Sequence, residues 1–457
     1  MGESESENTV FREVLQNVIS LPAGSNADKD SLGYKVQKLK ESLNSRFIER
    51  EISVMAALTG LFTNEPVVFI GPVGTAKTNL IEELGKAING KYFYYLLHNF
   101  TDPDELLGPL NVKKYRDEGI FERIKEGGLQ EAEIAFLDEP FKASSAIRNM
   151  LLDIMLNKRV KGQAGQEKLP MVGLYMAANE LPSESEDAAF YDRLVIRDFV
   201  SYVSKASRPQ LLLRDGGLDK ETTAENRNIM SVAEVKQAQA EVSKRYEAAK
   251  QDAKLVEAWA TAIGLTENAG ITVSDRTKKK IMKVAAAISV IWNEPKVTTE
   301  HLAAALYLTA PREREDTSKI EDVVAKARLS PTYDNAIKLF NVAQELLNVY
   351  TEAKQQEGLP TFKATFERLN STYDQAKLLV DEHKADSKLG FIMEPLSDLV
   401  ERTAIYSKAK AKQLEKEEKD KAAAQSQQKS TRSYESVDVD VSSREGIGPS
   451  RSLSRGV

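Results

Sequence analysis

The chain has 457 residues, 41% hydrophobic and 29% charged, with a net charge of −6. That length suits roughly three domains, and the near-balanced charge gives no global field for nucleic acid or an anionic membrane. The absence of cysteine excludes disulfides, thiolate metal sites and cysteine nucleophiles, and His98, His301 and His383 lie too far apart in sequence to show metal-ligand spacing.

No apolar run reaches the ~20 residues of a membrane-spanning helix, and the acidic start "MGESESENTV" lacks a signal-peptide core. Its first six residues fit an N-myristoylation pattern ending at Ser6. A single lipid needs a second membrane signal, and none is evident. The expected location is cytoplasmic. Residues 1–30 read as a flexible polar segment with one short helix over Val10–Ile19. Helical spacing then runs from Leu32 to Phe62, with apolar residues at Val36, Leu39, Leu43 and Phe47.

At "EPVVFIGPVGTAKT" the period switches. The run "VVFI" is a buried strand ending in Gly-Pro, and "TNLIEELGKAI" resumes a helix. Further strands are predicted at "KYFYYLL" (91–97), "AEIAFLDEP" (132–140), "MVGLYMAANE" (171–180) and "RLVIRDFV" (193–200), with a helix over 145–156. Strands separated by helices predict a parallel sheet covered on both faces. Residues 31–203 form this α/β domain, and 204–315 a helical second domain with an exposed loop over 215–228. Residues 330–425 form a mainly α-helical region: a helical pair around Gly358 and Pro360, then a third helix with a charged, solvated end. The serine-rich 426–457 reads as a disordered tail.

The chemistry lies where the strands end. A doubly wound sheet binds ligands at the carboxyl ends of its strands. Gly71 and Gly74 permit a tight turn and close approach to an anion. The segment Gly71, Pro72, Val73, Gly74, Thr75, Ala76, Lys77, Thr78 and Asn79 predicts a phosphate-binding loop, with N–H groups from Val73 to Lys77 holding phosphates. Lys77 would reach the outer phosphates, and Thr78 would take a place on Mg²⁺. The usual pattern has glycine where Ala76 stands, so the loop is expected to keep its shape with Ala76 at negative φ. Asp138 and Glu139 end a strand 61 residues after Lys77. Asp138 would hold Mg²⁺ and Glu139 would polarise water, because two adjacent acids at a buried strand end require a cation. Asn179 ends the next strand and would bridge the terminal phosphate and that water. Arg193 in "YDRL" and Arg276 in "VSDR" carry the fork that suits phosphate.

In this order the motifs resemble those of a MoxR-type AAA+ ATPase, most closely of the RavA branch, across residues 45–310. The resemblance is carried by "GPVGTAKT", "NFTDPDELLGPL", "DEGIFERIKEGGLQEAEIAFLDEPFKAS", "AANELP", "YDRLVIR" and "VSDRTKKKIMKVAAA". RavA-like loops have alanine before the lysine; Pro140, after the two acids, departs from the usual hydrophobic residue. The resemblance implies an AAA+ parallel-sheet nucleotide domain with a helical lid, binding ATP and Mg²⁺ between the subunits of a homo-oligomeric, hexameric ring. It implies that Arg193 is an arginine finger acting on the neighbour, Arg276 a lid arginine acting in its own subunit, and Asn179 the first sensor. Residues 108–129 match the family's helix-two insertion. The family also implies remodelling of protein clients, often with a von Willebrand factor A partner. That partner would be a separate chain, since no D-x-S-x-S string is present. Residues 330–425 look wholly helical, unlike the β-rich RavA segment. The competing readings are a nucleotide-gated scaffold that binds through its helical C-terminal region, and a nucleic-acid motor. The acidic balance and the lack of a basic, aromatic-interleaved stretch oppose the motor.

Overall fold

The apolar runs become strands in the computed structural model, which describes residues 10–17, 30–120, 122–162, 165–182, 188–213 and 227–435. In chain order the first unit begins with α1 (10–17), α2 (Leu32–Arg46), α3 (Glu51–Thr63), β1 (Val67–Ile70) and α4 (Lys77–Ala87). Then come β2 (Tyr92–Leu96), α5 (Pro103–Leu107), α6 (Val112–Glu118), β3 (Ile134–Asp138), α7 (Ser145–Asn157), β4 (Arg159–Gly162) and β5 (Gly165–Lys168). They are followed by β6 (Gly173–Ala178), α8 (Ala188–Arg193), β7 (Ile196–Phe199) and α9 (Arg208–Leu213).

Five of these strands form a sheet in the order β2-β3-β6-β1-β7, every pair parallel. The chain order reverses around β1, which makes the end of β1 the topological switch point, where such sheets bind ligands. Register aligns the carboxyl ends: Ile70 pairs with Ala178 and Phe199, and Asp138 pairs with Ala177 and Leu96. Both faces are covered, as buried parallel strands require. On one, Tyr175 donates its hydroxyl to the Ala57 carbonyl of α3 at 2.9 Å. On the other, Val68, Leu137 and Met176 join Ile147 and Leu151 of α7 and Phe190 of α8. Helix α3 is buried from Ile52 to Thr63. It is apolar nearly all round, as a helix wrapped by protein must be.

Helices α10 (Val232–Ala249), α11 (Ala253–Asn268), α12 (Asp275–Ile291), α13 (Thr299–Thr309) and α14 (Asp316–Lys326) complete the lid region. Ser231 and Glu234 form a capping box at α10, and Asp252 and Ser274 cap α11 and α12. Helices α10 and α12 pack on α3.

The chain divides into two compact units, Met1–Lys338 with Lys384–Ile392, and Leu339–His383 with Met393–Val457. The second is built from α16 (Phe362–His383) and the larger parts of α15 (Pro331–Gln355) and α17 (Gly390–Glu435). Tyr350 of α15 stacks edge-on against Tyr406 of α17, centroids 5.4 Å apart, and the buried Phe366 and Leu369 line α16.

The structure departs from the sequence reading at four places. Residues 10–17 are not part of a flexible segment: Val10, Phe11, Val14 and Leu15 are buried, with Phe11 against Tyr307 and Tyr333. The antiparallel hairpin β4–β5 was not foreseen, because "RVKGQAGQEK" has no apolar alternation. The second unit begins at Leu339 rather than 330, because Leu329, Tyr333 and Ala336 are buried and Tyr333 meets Phe11. Helix α17 runs to Glu435, past the expected start of the tail at 426. The rest of that tail, the Ser6 pattern, and residues 18–19 and 215–226 lie outside the described residues. No helix among the described residues is long and apolar enough to cross a membrane.

Candidate functional site

Strand β1 delivers the chain into the loop 71–76 at the carboxyl edge. Gly71 is required by contact: a Cβ there would lie 2.2 Å from the Val200 carbonyl oxygen. Gly74 is required by conformation, at φ +80°, with open space where its Cβ would be. Thr75 donates its hydroxyl to the Pro72 carbonyl at 2.9 Å and closes the loop.

Ala76, expected at negative φ, sits at φ +65° and ψ 22° and starts α4 from the left-handed region. The loop needs that geometry at this position, and a Cβ there costs ~1–2 kcal/mol. Glycine, the usual residue, would adopt it freely.

Lys77 donates its ammonium to the Gly71 and Pro72 carbonyls at 2.6 and 2.9 Å. Burial pushes its pKa below the ordinary value, while Asp138 and Glu139 pull it back up. Thr78 and Asn79 are half-buried in the first turn of α4, whose N–H groups have no intrahelical acceptor.

Across the edge, burial and then the Glu139 charge push the Asp138 carboxyl above its usual range. Glu139 is 8% exposed and left-handed at φ +55°, a second strained backbone position. Asn179 donates its amide to Glu139 Oε1 at 2.5 Å, and Lys142 lies 3.5 Å from Glu139 Oε2. The loop, Asp138, Glu139 and Asn179 therefore converge at one sheet edge.

The two arginines do not join them. Arg193 precedes β7, whose first residue, Ile196, pairs with Val67 at the start of β1. Parallel pairing thus sets Arg193 toward the amino edge. Its Nη1 donates to the Ala189 carbonyl at 2.8 Å, and its buried Nε has no partner among the described residues. Arg276, expected to reach its own subunit's nucleotide, instead pairs with Asp192 at 3.0 Å, beside Arg193. Arg312 approaches the other Asp192 oxygen at 3.7 Å. Sequence reasoning missed Asp192 and Lys142: each is a single charged residue in a loop or short helix, without a spacing pattern.

Residues 108–129 hold α6, capped by Asn111 and ended by left-handed Gly119, with a bridge between Leu110 and Arg123. Val112, Tyr115 and Ile124 are exposed.

The residues fit a Mg²⁺ site of the kind completed by a substrate. No group of three or more His, Cys, Asp or Glu side chains placed to hold a metal occurs among the described residues. One carboxylate whose charge is disfavoured, at the same sheet edge as the threonine that follows Lys77, suits an ion that is bound jointly with phosphate oxygens.

Residues 34–240 match the family model for the MoxR domain in MoxR-vWA-beta-propeller ternary systems. The chain is 38% identical over 269 residues to the uncharacterized protein MJ0812 of Methanocaldococcus jannaschii, covering 58% of this chain and 69% of that protein. It is 46% identical over 168 residues to MJ0079 of the same organism, covering 36% and 44%. It is 34% identical over 175 residues to structural protein ORF618 of Acidianus two-tailed virus, covering 37% and 28%. The chain thus spans less than half the length of the last two. A crystal structure of a proposed ATPase from Cytophaga hutchinsonii shares the fold, with a TM-score of 0.53 at 19% identity over 65% of this chain and 94% of that one.

Proposed function

Because the chain belongs to the MoxR-type AAA+ ATPases, we propose that it hydrolyses ATP in a homo-oligomeric, hexameric ring that remodels protein clients. The observation that carries the chemistry is the convergence of Lys77, Asp138, Glu139 and Asn179 at the switch-point edge of the sheet. Phosphoryl transfer needs positioning and charge neutralisation more than covalent chemistry. Lys77 would exchange the Gly71 and Pro72 carbonyls for β- and γ-phosphate oxygens of ATP. Glu139, held by Asn179, would take the proton from a water attacking the γ-phosphorus as the bond to the ADP oxygen breaks. Thr78 and Asp138 would hold Mg²⁺, which supplies charge neutralisation on the phosphate oxygens.

Arg193 would act on a neighbour's nucleotide, since its own loop lies at the opposite edge of the sheet. Arg276, tied to the same helix through Asp192, would act with it rather than in its own subunit. The client partner is proposed to include a separate von Willebrand factor A protein, as in the systems for which the matched family is described. Ala76 supports placement in the RavA branch, and the absence of nucleic acid among the partners and a cytoplasmic location belong to the same proposal. The test is phosphate release by the purified chain with ATP and Mg²⁺. Turnover that is abolished by Lys77→Ala supports the reading; absence of turnover under conditions where the ring has formed contradicts it.

A second reading, a nucleotide-gated scaffold, draws on the viral relative described as a structural protein and on the helical second unit. Light scattering with ATP, ADP and no nucleotide separates the two. Nucleotide-dependent assembly with negligible turnover favours the scaffold.

A further inference from the structure

Arg50 has no place in the chemistry described so far, yet it is 7% exposed and sits behind the loop. It occupies the junction between α2 and α3, at the N-cap of α3. Its guanidinium binds carbonyl oxygens from three separate segments. Nε donates to Thr75 at 3.0 Å, Nη2 to Ser201 at 2.8 Å, and Nη1 to Glu49 at 2.7 Å. Thr75 belongs to the loop, and Ser201 follows β7 beside Val200, the residue that Gly71 touches. Arg314 holds this same segment from the other side, donating Nη2 to the Val200 carbonyl at 2.8 Å. One planar, fixed fork thus ties the loop to the end of β7 and the start of α3. A lysine, with a single nitrogen, cannot span these acceptors.

The consequence concerns the Thr75–Ala76 peptide. A trans peptide points its C=O and its N–H to opposite sides. With the Thr75 oxygen held on Arg50, the Ala76 N–H is turned away from Arg50, in a loop whose Val73 and Gly74 are exposed. Among the described residues that N–H has no backbone acceptor. The left-handed conformation of Ala76 then carries the chain into α4. Arg50 also adds its charge to that of Lys77 beneath the loop.

We propose that Arg50 is a positioning residue for phosphate: by holding the Thr75 and Ser201 carbonyls, it aims the Ala76 N–H at a phosphate oxygen of the nucleotide. This rests on the reading of residues 71–79 as a phosphate loop. The N–H meets the same oxygen in the bound and the reacting nucleotide, so its loss weakens binding more than turnover at saturation.

The test is titration of mant-ADP into the full chain and its Arg50→Lys, Arg50→Met and Lys77→Ala variants, with ATP kinetics and nucleotide-free melting alongside. Loss of one hydrogen bond to a charged group predicts an affinity for mant-ADP lower by about 10–100-fold in both Arg50 variants. It also predicts a matching rise in KM, kcat within about three-fold of wild type, and full binding stoichiometry. Arg50→Lys keeps the charge, so it carries the test if Arg50→Met does not fold. A purely structural role would instead lower the melting temperature and the binding-competent fraction while the remaining molecules bind with wild-type affinity. That result overturns the proposal. Wild-type affinity in Arg50→Lys with binding lost in Lys77→Ala overturns it and leaves the phosphate loop intact. Wild-type affinity in Lys77→Ala removes the loop reading itself.

Discussion

The two edges of the central sheet both bury carboxylates, and they treat them in opposite ways. At the amino edge, Glu65 precedes β1 and receives Lys280 and Lys283, the latter at 2.9 Å. Burial works to raise its pKa, but the two ammonium groups outweigh burial and hold the carboxyl below its usual range. Lys283 also donates to the Thr63 carbonyl at 2.7 Å, so the cluster seals α12 onto the end of α3. At the carboxyl edge, Asp138 is held above its usual range, Glu139 and Ala76 adopt left-handed backbone, and Lys77 is turned onto its own loop's carbonyls. Strain and disfavoured charge persist there only because the surrounding fold over-determines them, which is characteristic of functional sites. The amino edge neutralises Glu65 with the chain's own ammonium groups, whereas at the carboxyl edge the proposed ligand would meet the carboxylates.

The largest effect expected from breaking this contrast is at Arg193. It lies toward the amino edge yet is proposed to take part in the chemistry, which is why the proposal assigns its action to another subunit. Arg193→Ala should lower kcat by on the order of 10³-fold, measured as phosphate release at a concentration where the ring is assembled. Restoration by mixing with Lys77→Ala subunits, which supply the arginine but not the loop, would confirm action in trans. Arg276→Ala should follow the same pattern and lower turnover more than it weakens mant-ADP binding to the unassembled chain. The reverse ratio would return Arg276 to its own subunit's nucleotide.

A smaller effect sits away from both edges. Glu321 of α14 is 3% exposed, and burial pushes its pKa up to about 8, against the opposing charge of Arg12 on α1. A raised carboxyl pKa means that the folded state prefers the proton. Its contribution to stability is therefore full below the ordinary value near 4.5 and is lost as pH rises to about 8. Glu321→Gln should flatten the fall in melting temperature between pH 5 and 9 by several degrees. An unchanged slope would show that the carboxyl ionises in the folded state without penalty.

The smallest effect is Ala76→Gly. Relief of the left-handed penalty, ~1–2 kcal/mol, is set against the greater freedom of glycine in the unfolded chain, ~0.5–1 kcal/mol. A rise in melting temperature of roughly one to three degrees is expected. A fall would mean that the methyl group makes a contact worth more than the strain.

How far these contrasts were legible in the sequence follows from their physics. "VVFI", "IAFLD" and "LYMAA" announce buried strands because parallel strands covered on both faces are continuously apolar. The polar residues that end them then mark the ligand edge, which is how Lys77, Asp138, Glu139 and Asn179 could be grouped before any coordinates. The sign of φ at Ala76 could not be read, since alanine is compatible with either sign at different cost. Arg50 and Glu65 depend on pairing across 25 or more residues, to Thr75 and Lys280, and carry no local period. The hairpin β4–β5 is polar, and α1 is a single short apolar stripe whose partners, Tyr307 and Tyr333, lie about 300 residues away. The pairing of Arg276 with Asp192 likewise joins distant segments, and it changes which nucleotide that arginine is proposed to serve.

One paired measurement tests the division of labour between the edges most directly. Glu139→Gln and Glu65→Gln each replace one carboxylate by its neutral isostere, at opposite ends of the sheet. For both, phosphate release per folded molecule and melting temperature are measured beside mant-ATP binding. Glu139→Gln should bind mant-ATP, lose turnover by about 10²-fold or more and melt close to wild type. Glu65→Gln should lose ~1–3 kcal/mol of stability, between the values for exposed and buried ion pairs, with turnover per folded molecule retained. Wild-type turnover in Glu139→Gln, or loss of turnover without loss of stability in Glu65→Gln, would contradict that division.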